Sequence, residues 1–117
     1  MHPFLGIQGV DMNYQVSQAM DSTVPYGVLI ERTVEGGPAS KAGLKGGGQT
    51  VEIQGNRYVL GGDIIVSINE TRIVNNDALS TYLERNTVPG QTIQVGIIRS
   101  GNSTFVQVLV GQRPSLA

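Results

Sequence analysis

The sequence has no cysteine and one histidine, and these two shortages remove whole classes of chemistry. Without cysteine, the 117-residue chain has no disulfide framework, no thiol nucleophile and no cysteine zinc site. The single histidine, His2, lies beside the N-terminus, where a solvated side chain is far more common than a catalytic one. A Ser-His-Asp triad would therefore lack its general base. No serine lies in a G-x-S-x-G motif, so the chain alone is not expected to be an enzyme.

Runs of one charge and long apolar runs are also missing. Eight basic and nine acidic residues are scattered along the chain and give a net charge of −1, so no basic stripe for nucleic acid exists. No apolar run approaches the roughly 20 residues of a membrane-spanning helix, and direct membrane insertion is not expected. The carboxylates Asp63, Glu70 and Asp77 lack calcium-loop spacing, and 46–48 lacks the G-K-[ST] context of a phosphate loop. We expect no metal and no cofactor.

Glycine, by contrast, is abundant. Sixteen glycines lie between apolar runs without periodicity, which is typical of turns in a domain rich in β-structure. Hydrophobic residues make up 39% of the chain and charged residues 15%, as in a chain that can fold. At this length we expect one domain, 1–113, followed by a tail at 114–117.

Alternating apolar residues predict most of the elements. Strands are expected at 4–10, 27–34, 64–68, 71–73, 92–98 and 104–110, with a hairpin of 50–54 and 57–60 around Gly55-Asn56. One clear helix is expected at 75–86, capped by Asn75 or Asn76, with a helical turn at 38–43 and a short helical piece within 11–23. The predicted fold is α+β and mostly β. It is a small, partly open barrel or sandwich capped by one main helix and a short helix, with an inserted hairpin at about 46–60.

The order of several short motifs carries a family resemblance. These motifs are Phe4-Leu5-Gly6-Ile7, Gly27-Val28-Leu29-Ile30, Gly37-Pro38-Ala39, Ala42-Gly43-Leu44, Gly62-Asp63-Ile64-Ile65 with Ile68-Asn69, and Gly111-Gln112-Arg113-Pro114. Together they resemble the PDZ domain of HtrA/Deg-type trypsin-like serine proteases. The chain departs from the simple pattern at 11–23 and at 46–60, and it has Glu70 where the family usually has glycine.

The resemblance implies a peptide-binding site built from three parts. The carboxylate-binding loop would be Phe4, Leu5, Gly6 and Ile7, and the peptide-pairing strand would be Ile7, Gln8 and Gly9. The groove helix would contribute Asn76, Leu79, Ser80 and Leu83. In such a site the loop N–H groups hold a terminal carboxylate, and the peptide is added to an open sheet edge as an extra strand.

Each assignment has a structural alternative. From the residues alone, Phe4, Leu5 and Ile7 are better explained as ordinary core residues, and only the resemblance favours the pocket. Gly6 could be a simple bulge. Leu79 and Leu83 would serve as both core and pocket wall. Asn76 could be a helix cap instead of a ligand contact.

The resemblance also implies a role and partners. The expected function is a module that captures C-termini or extended segments of unfolded proteins. It would dock substrate for, or regulate, a serine protease domain upstream in the same polypeptide. The cell envelope or periplasm is the implied location, and the parent protein could be membrane-anchored. The alternative is a scaffold module that binds a fixed partner subunit. The domain is expected to be monomeric, although its tail, 115–117, could dock into a neighbour's groove.

Overall fold

The structure, a computed structural model, describes residues 3–19, 24–99 and 101–112. The strands are β1 (Pro3–Phe4), β2 (Ile7–Asp11), β3 (Val28–Thr33), β4 (Gln49–Ile53), β5 (Asn56–Leu60), β6 (Ile64–Ile68), β7 (Thr71–Arg72), β8 (Thr92–Arg99), β9 (Asn102–Leu109) and β10 (Gly111–Gln112). The helices are α1 (Tyr14–Ala19), α2 (Pro38–Ala42) and α3 (Asn76–Asn86). The predicted mostly β, α+β architecture is confirmed. The tail at 114–117 lies outside the described residues.

One antiparallel sheet organises the described part of the chain. Its strands follow the order β2-β3-β6-β8-β9, with β7 beside β6, so β2 and β9 form its two edges. Two short ladders, β1 with β10 and β4 with β5, complete the set of described strands. The sheet is open, and this leaves β2 with one unpaired side.

The main apolar cluster contains residues of α2, α3 and the sheet. Its buried members are Leu5, Val28, Ile30, Ala39, Leu44, Ile65, Ile68, Ile73, Leu79, Leu83, Ile93, Val95, Ile97, Val108 and Val110. α3 contributes Leu79 and Leu83, which are four residues apart and therefore share one helix face. The helix begins where the Asn75 side chain accepts a hydrogen bond from the N–H of Ala78 at 2.8 Å. Of the two predicted caps, Asn75 is the one that the structure uses.

A second apolar cluster unites the two segments that depart from the simple family pattern. Its buried members are Met12, Val16, Leu29, Leu60, Ile64 and Ile98, with Val51, Ile53 and Tyr58 of the β4–β5 hairpin packed against them. Val16 is fully buried in α1, whereas Tyr14 is 68% exposed and Met20 lies outside the described residues. The inserted hairpin and α1 thus share one apolar cluster with residues of β3, β6 and β8.

An ion pair with a buried carboxylate lies where the chain enters β6. The Asp63 carboxylate accepts hydrogen bonds from Arg99 at 2.6 and 2.9 Å and from the N–H of Lys45 at 3.0 Å. The hydrogen bond to Asp63 raises the pKa of the Arg99 guanidinium above its ordinary value. Because Arg99 also donates to the carbonyl of Gly43 at 3.0 Å, the pair links β8 to the end of α2.

Two local predictions are wrong. The first strand is not continuous over 4–10, because the chain turns between β1 and β2 at Gly6, whose φ is +78°. The hairpin turn lies at Gln54-Gly55, one residue earlier than predicted, and both residues have positive φ, 52° and 82°. Positive φ at both central residues suits a two-residue hairpin turn, since its twist matches that of the strands.

Candidate functional site

The loop between β1 and β2 is held from behind by two backbone hydrogen bonds. The carbonyl of Leu5 accepts from the N–H of Ala39, near the start of α2, at 2.8 Å. The carbonyl of Gly6 accepts from the N–H of Val34 at 2.8 Å. Both bonds come from residues about thirty positions later in the chain, so the loop shape depends on the β3–α2 connection.

These two bonds determine where the loop N–H groups point. In a trans peptide the C=O and the following N–H point in opposite directions, and the described residues contain no cis peptide bond. The N–H of Gly6 therefore points away from α2, and the N–H of Ile7 points away from the β3–α2 connection. Two successive N–H groups in a turn with a left-handed residue form a concave anion site of the nest type.

The edge of β2 continues from this loop. Gly9 lies opposite Ile30 in β3, but Ile30 donates its N–H to the carbonyl of Asp63 at 2.9 Å, away from β2. The pair is thus a non-hydrogen-bonded one, and the N–H and C=O of Gly9 face the open edge. Because backbone groups alternate along a strand, the N–H and C=O of Ile7 also face this edge, whereas the N–H and C=O of Gln8 face β3. Of the predicted pairing strand, Ile7 and Gly9 present their backbone groups to the open edge and Gln8 does not.

Gly9 also has a packing reason to be glycine. A Cβ at this position would collide with Cγ1 of Val28 and would lie 3.5 Å from Oδ1 of Asn76. Val28 is fully buried, so it has little freedom to move aside. The edge therefore presents bare backbone at its centre.

The predicted pocket walls come together, but they are largely core. Leu5, Leu79 and Leu83 are 3%, 5% and 8% exposed and belong to the main cluster, with the half-buried Ile7 packed against it. The dual role of the two leucines as core and wall accordingly stays a prediction, as does the wall role of the Phe4 side chain. Ser80 is exposed on α3, one residue beyond the buried Leu79.

Asn76 is the groove-helix residue that contacts β2. Its Nδ2 donates to the carbonyl of Gly9 at 2.8 Å, and its backbone N–H donates to Oδ1 of Asp11 at 2.7 Å. The sequence analysis did not place Asp11 at the start of α3, because the two are 65 positions apart and no local pattern marks such a partner. These two contacts tie the first turn of α3 to the end of β2.

A cavity of about 570 Å³, which was not predicted, lies beside the connection between β3 and α2. Its lining includes the apolar side chains of Val34, Pro38, Ala42 and Leu109. It also includes Gly37, which lies in sequence between the two residues that bond the loop carbonyls. A Cβ added at Gly37 would lie 3.7 Å from Cα of Gly6. The cavity thus adjoins the residues that hold the loop in shape.

Two features of other functional classes are missing from the part of the chain that the structure describes. Across residues 3–19, 24–99 and 101–112, no three carboxylate or imidazole side chains gather into a possible metal site. Among the described helices, none has the length and hydropathy needed to cross a membrane.

A loop with a left-handed glycine is followed by an open strand edge, and α3 is bonded to that strand through Asn76. The chain belongs to the PDZ domain family, whose model matches residues 3–110. Among curated proteins, the chain is 30% identical over 112 residues to a probable periplasmic serine endoprotease DegP-like of Hahella chejuensis, which covers 96% of this chain. It is 27% identical over 104 residues to the periplasmic pH-dependent serine endoprotease DegQ of Escherichia coli, over 89% of this chain. The HtrA/Deg resemblance is confirmed.

The relatives are much longer than this chain. The chain spans 20% of the Hahella protein and 19% of the Escherichia coli protein. A further relative, protease Do-like 1 of Arabidopsis thaliana, is chloroplastic by name and 30% identical over 112 residues, of which this chain spans 23%. Most of the sequence of each relative therefore lies outside the region matched by this chain.

Solved structures show the same fold. An HtrA-type protease AlgW with a decapeptide has a TM-score of 0.73 at 20% identity, covering 97% of this chain and 30% of that one. The HtrA3 PDZ domain bound to a phage-derived ligand, FGRWV, has a TM-score of 0.68 at 15% identity, covering 92% and 84% of the two chains.

Proposed function

We propose that this PDZ domain binds the C-termini of extended peptides by adding them as a strand to β2. The observation that carries the proposal is the direction of the N–H groups of Gly6 and Ile7, which point away from their bonded neighbours beside an open strand edge. A terminal carboxylate supplies the anion that such a nest accepts. The peptide backbone then pairs with Ile7 and Gly9.

The remaining predicted residues have defined roles in this proposal. Phe4, Leu5 and Ile7 form one wall for the last side chain of the peptide, and Leu79 and Leu83 form the other. Burying one aliphatic side chain there contributes roughly 1.5–3 kcal/mol. The affinity is then expected to be on the order of micromolar. Ser80 is exposed and would meet peptide residues farther from the terminus.

We further propose that the domain, 1–113, is part of a longer serine endopeptidase, for which it docks substrate or adjusts activity. The support is the similarity to DegP-like and DegQ proteases, of which it matches about a fifth. Those relatives are periplasmic by name, and an extracytoplasmic location is proposed by the same similarity. The domain acts as a binding module, so the pure chain is expected to leave casein uncut.

Fluorescence polarisation with labelled peptides that end in an apolar residue tests the proposal. Each peptide is measured as the free acid and as the C-terminal amide. We expect micromolar binding of the acid and a loss of at least about tenfold for the amide, since the nest would lose its anion. Equal binding of both forms would favour a scaffold that holds internal segments. Failure of both to bind would reject the proposal.

A further inference from the structure

The start of α3 is hydrogen-bonded to β2 through one residue. Asn76, the first residue of α3, reaches across to β2 and donates its Nδ2 hydrogen to the carbonyl of Gly9 at 2.8 Å. Its backbone N–H is bonded at 2.7 Å to Asp11, the last residue of β2. The two bonds join the first residue of α3 to the centre and to the last residue of β2.

The carbonyl of Gly9 is also a group that an added strand would use. Residues two apart on a strand face the same neighbour, so a peptide whose last residue pairs with Ile7 has its third-from-last residue opposite Gly9. In this register the N–H of that third-from-last residue would donate to the Gly9 carbonyl. Asn76 already donates to this oxygen.

Asn76 is not needed for the helix start. The cap is supplied by Asn75, whose side chain accepts from the N–H of Ala78. The bond to Asp11 uses the Asn76 backbone and does not depend on the side chain. The Asn76 carboxamide is therefore free of the helix cap, and its hydrogen bond to Gly9 lies on the edge that is proposed to bind peptides.

We propose that Asn76 keeps the carbonyl of Gly9 from accepting a hydrogen bond from a bound peptide, so that only the N–H of Gly9 pairs with it. This inference rests on the proposed function and specifies it. The carboxylate at the nest then carries a larger share of the binding free energy than it would in a groove whose Gly9 carbonyl was free.

The test uses the 117-residue chain and two matched pentapeptides with a free C-terminus and an apolar last residue. One is an ordinary peptide. In the other, an ester oxygen replaces the N–H of the third-from-last residue, which removes one donor and adds no bulk. Affinities are measured for the wild-type chain, for Asn76→Ala and for Asn86→Ala, which makes the same substitution at the exposed last residue of α3.

The expected results depend on which group donates a hydrogen bond to the carbonyl of Gly9. The wild-type chain and Asn86→Ala should bind the two peptides within twofold of each other. Asn76→Ala should bind the ordinary peptide roughly three- to tenfold more tightly than the ester, which is the usual range for one net hydrogen bond. If the wild-type chain itself discriminates against the ester to that extent, or if Asn76→Ala does not, the inference is overturned.

A measurement on the ligand-free chain separates this inference from the proposed function. Nδ2 of Asn76 donates to the carbonyl oxygen of Gly9, and scalar coupling between this nitrogen and the Gly9 carbonyl carbon, transmitted through the hydrogen bond, should be detectable by NMR. Its absence would overturn the inference even if peptides bind. If no peptide binds to any variant, the proposed function fails, and a role for Asn76 in reading peptides fails with it.

Discussion

The two edges of the central sheet, β2 and β9, differ in their surroundings more than in their openness. β2 has five residues, follows the left-handed Gly6 and is tied to α3 through Asn76. β9 has eight residues and exposes Phe105 and Leu109, each by 60%. Any sheet edge offers backbone groups for pairing. Under the proposed function, selectivity at β2 is expected to come from the loop before it and the helix bonded to it.

Removing the ion pair should weaken the sheet as a whole and give the largest effect. The Asp63 side chain is 3% exposed and bonds Arg99, whose side chain is 38% exposed. Removing one partner of a fully buried pair costs about 3–5 kcal/mol, but Asp63→Ala leaves Arg99, which water can reach, so we expect about 2–3 kcal/mol. Urea unfolding measures this loss. Arg99→Lys keeps the charge and should lose less, and wild-type stability of Asp63→Ala would contradict the assignment.

A methyl group at the centre of β2 should be harmful, whereas a truncation on β9 should not. Gly9→Ala would force its Cβ against the fully buried Val28, and overpacking of this kind costs about 1–3 kcal/mol. The matched change on the other edge is Gln107→Ala, at an exposed position, which should stay within about 0.5 kcal/mol. Thermal unfolding of the two variants decides, and equal losses would remove the distinction between the edges.

The loop before β2 should matter for binding beyond its effect on stability. Gly6→Ala and Gly101→Ala both place a side chain at a positive φ, 78° and 80°. Each should lose about 1–2 kcal/mol of stability. Only Gly6→Ala should weaken binding of the free-acid peptide, by about tenfold or more. If Gly101→Ala weakens binding equally, the effect is general strain and the nest assignment is wrong.

The smallest expected effect concerns the exposed apolar surface of β9. Leu109→Thr introduces a β-branched residue, which suits a strand, and replaces a side chain that is 60% exposed. We expect a change in peptide affinity below about twofold and a change in stability within about 0.5 kcal/mol. A larger loss of affinity in fluorescence polarisation would mean that peptides also use the second edge.

The sequence was sufficient where local rules decide the structure. Alternation predicted the long strands β8 and β9, and Asn75 marked the start of α3. The position of Glu70 also has a local meaning, since its φ is +73° in a turn where the resembled pattern has glycine.

The sequence was insufficient where distant residues decide. The break after Phe4 depends on bonds from Val34 and Ala39, and these partners cannot be read from the apolar pattern of 4–10. The bond between Asn76 and Gly9 spans 67 positions. The shared packing of α1 and the inserted hairpin likewise arises only when the sheet brings them together.

The loop at Leu5-Gly6 is suspended between two ladders, since β1 pairs with β10 on one side and β2 pairs with β3 on the other. It therefore behaves as a short bridge between two anchored ends. The direction of its N–H groups therefore depends on how β10 and β3 are positioned relative to each other, although neither strand contributes an N–H group to the loop.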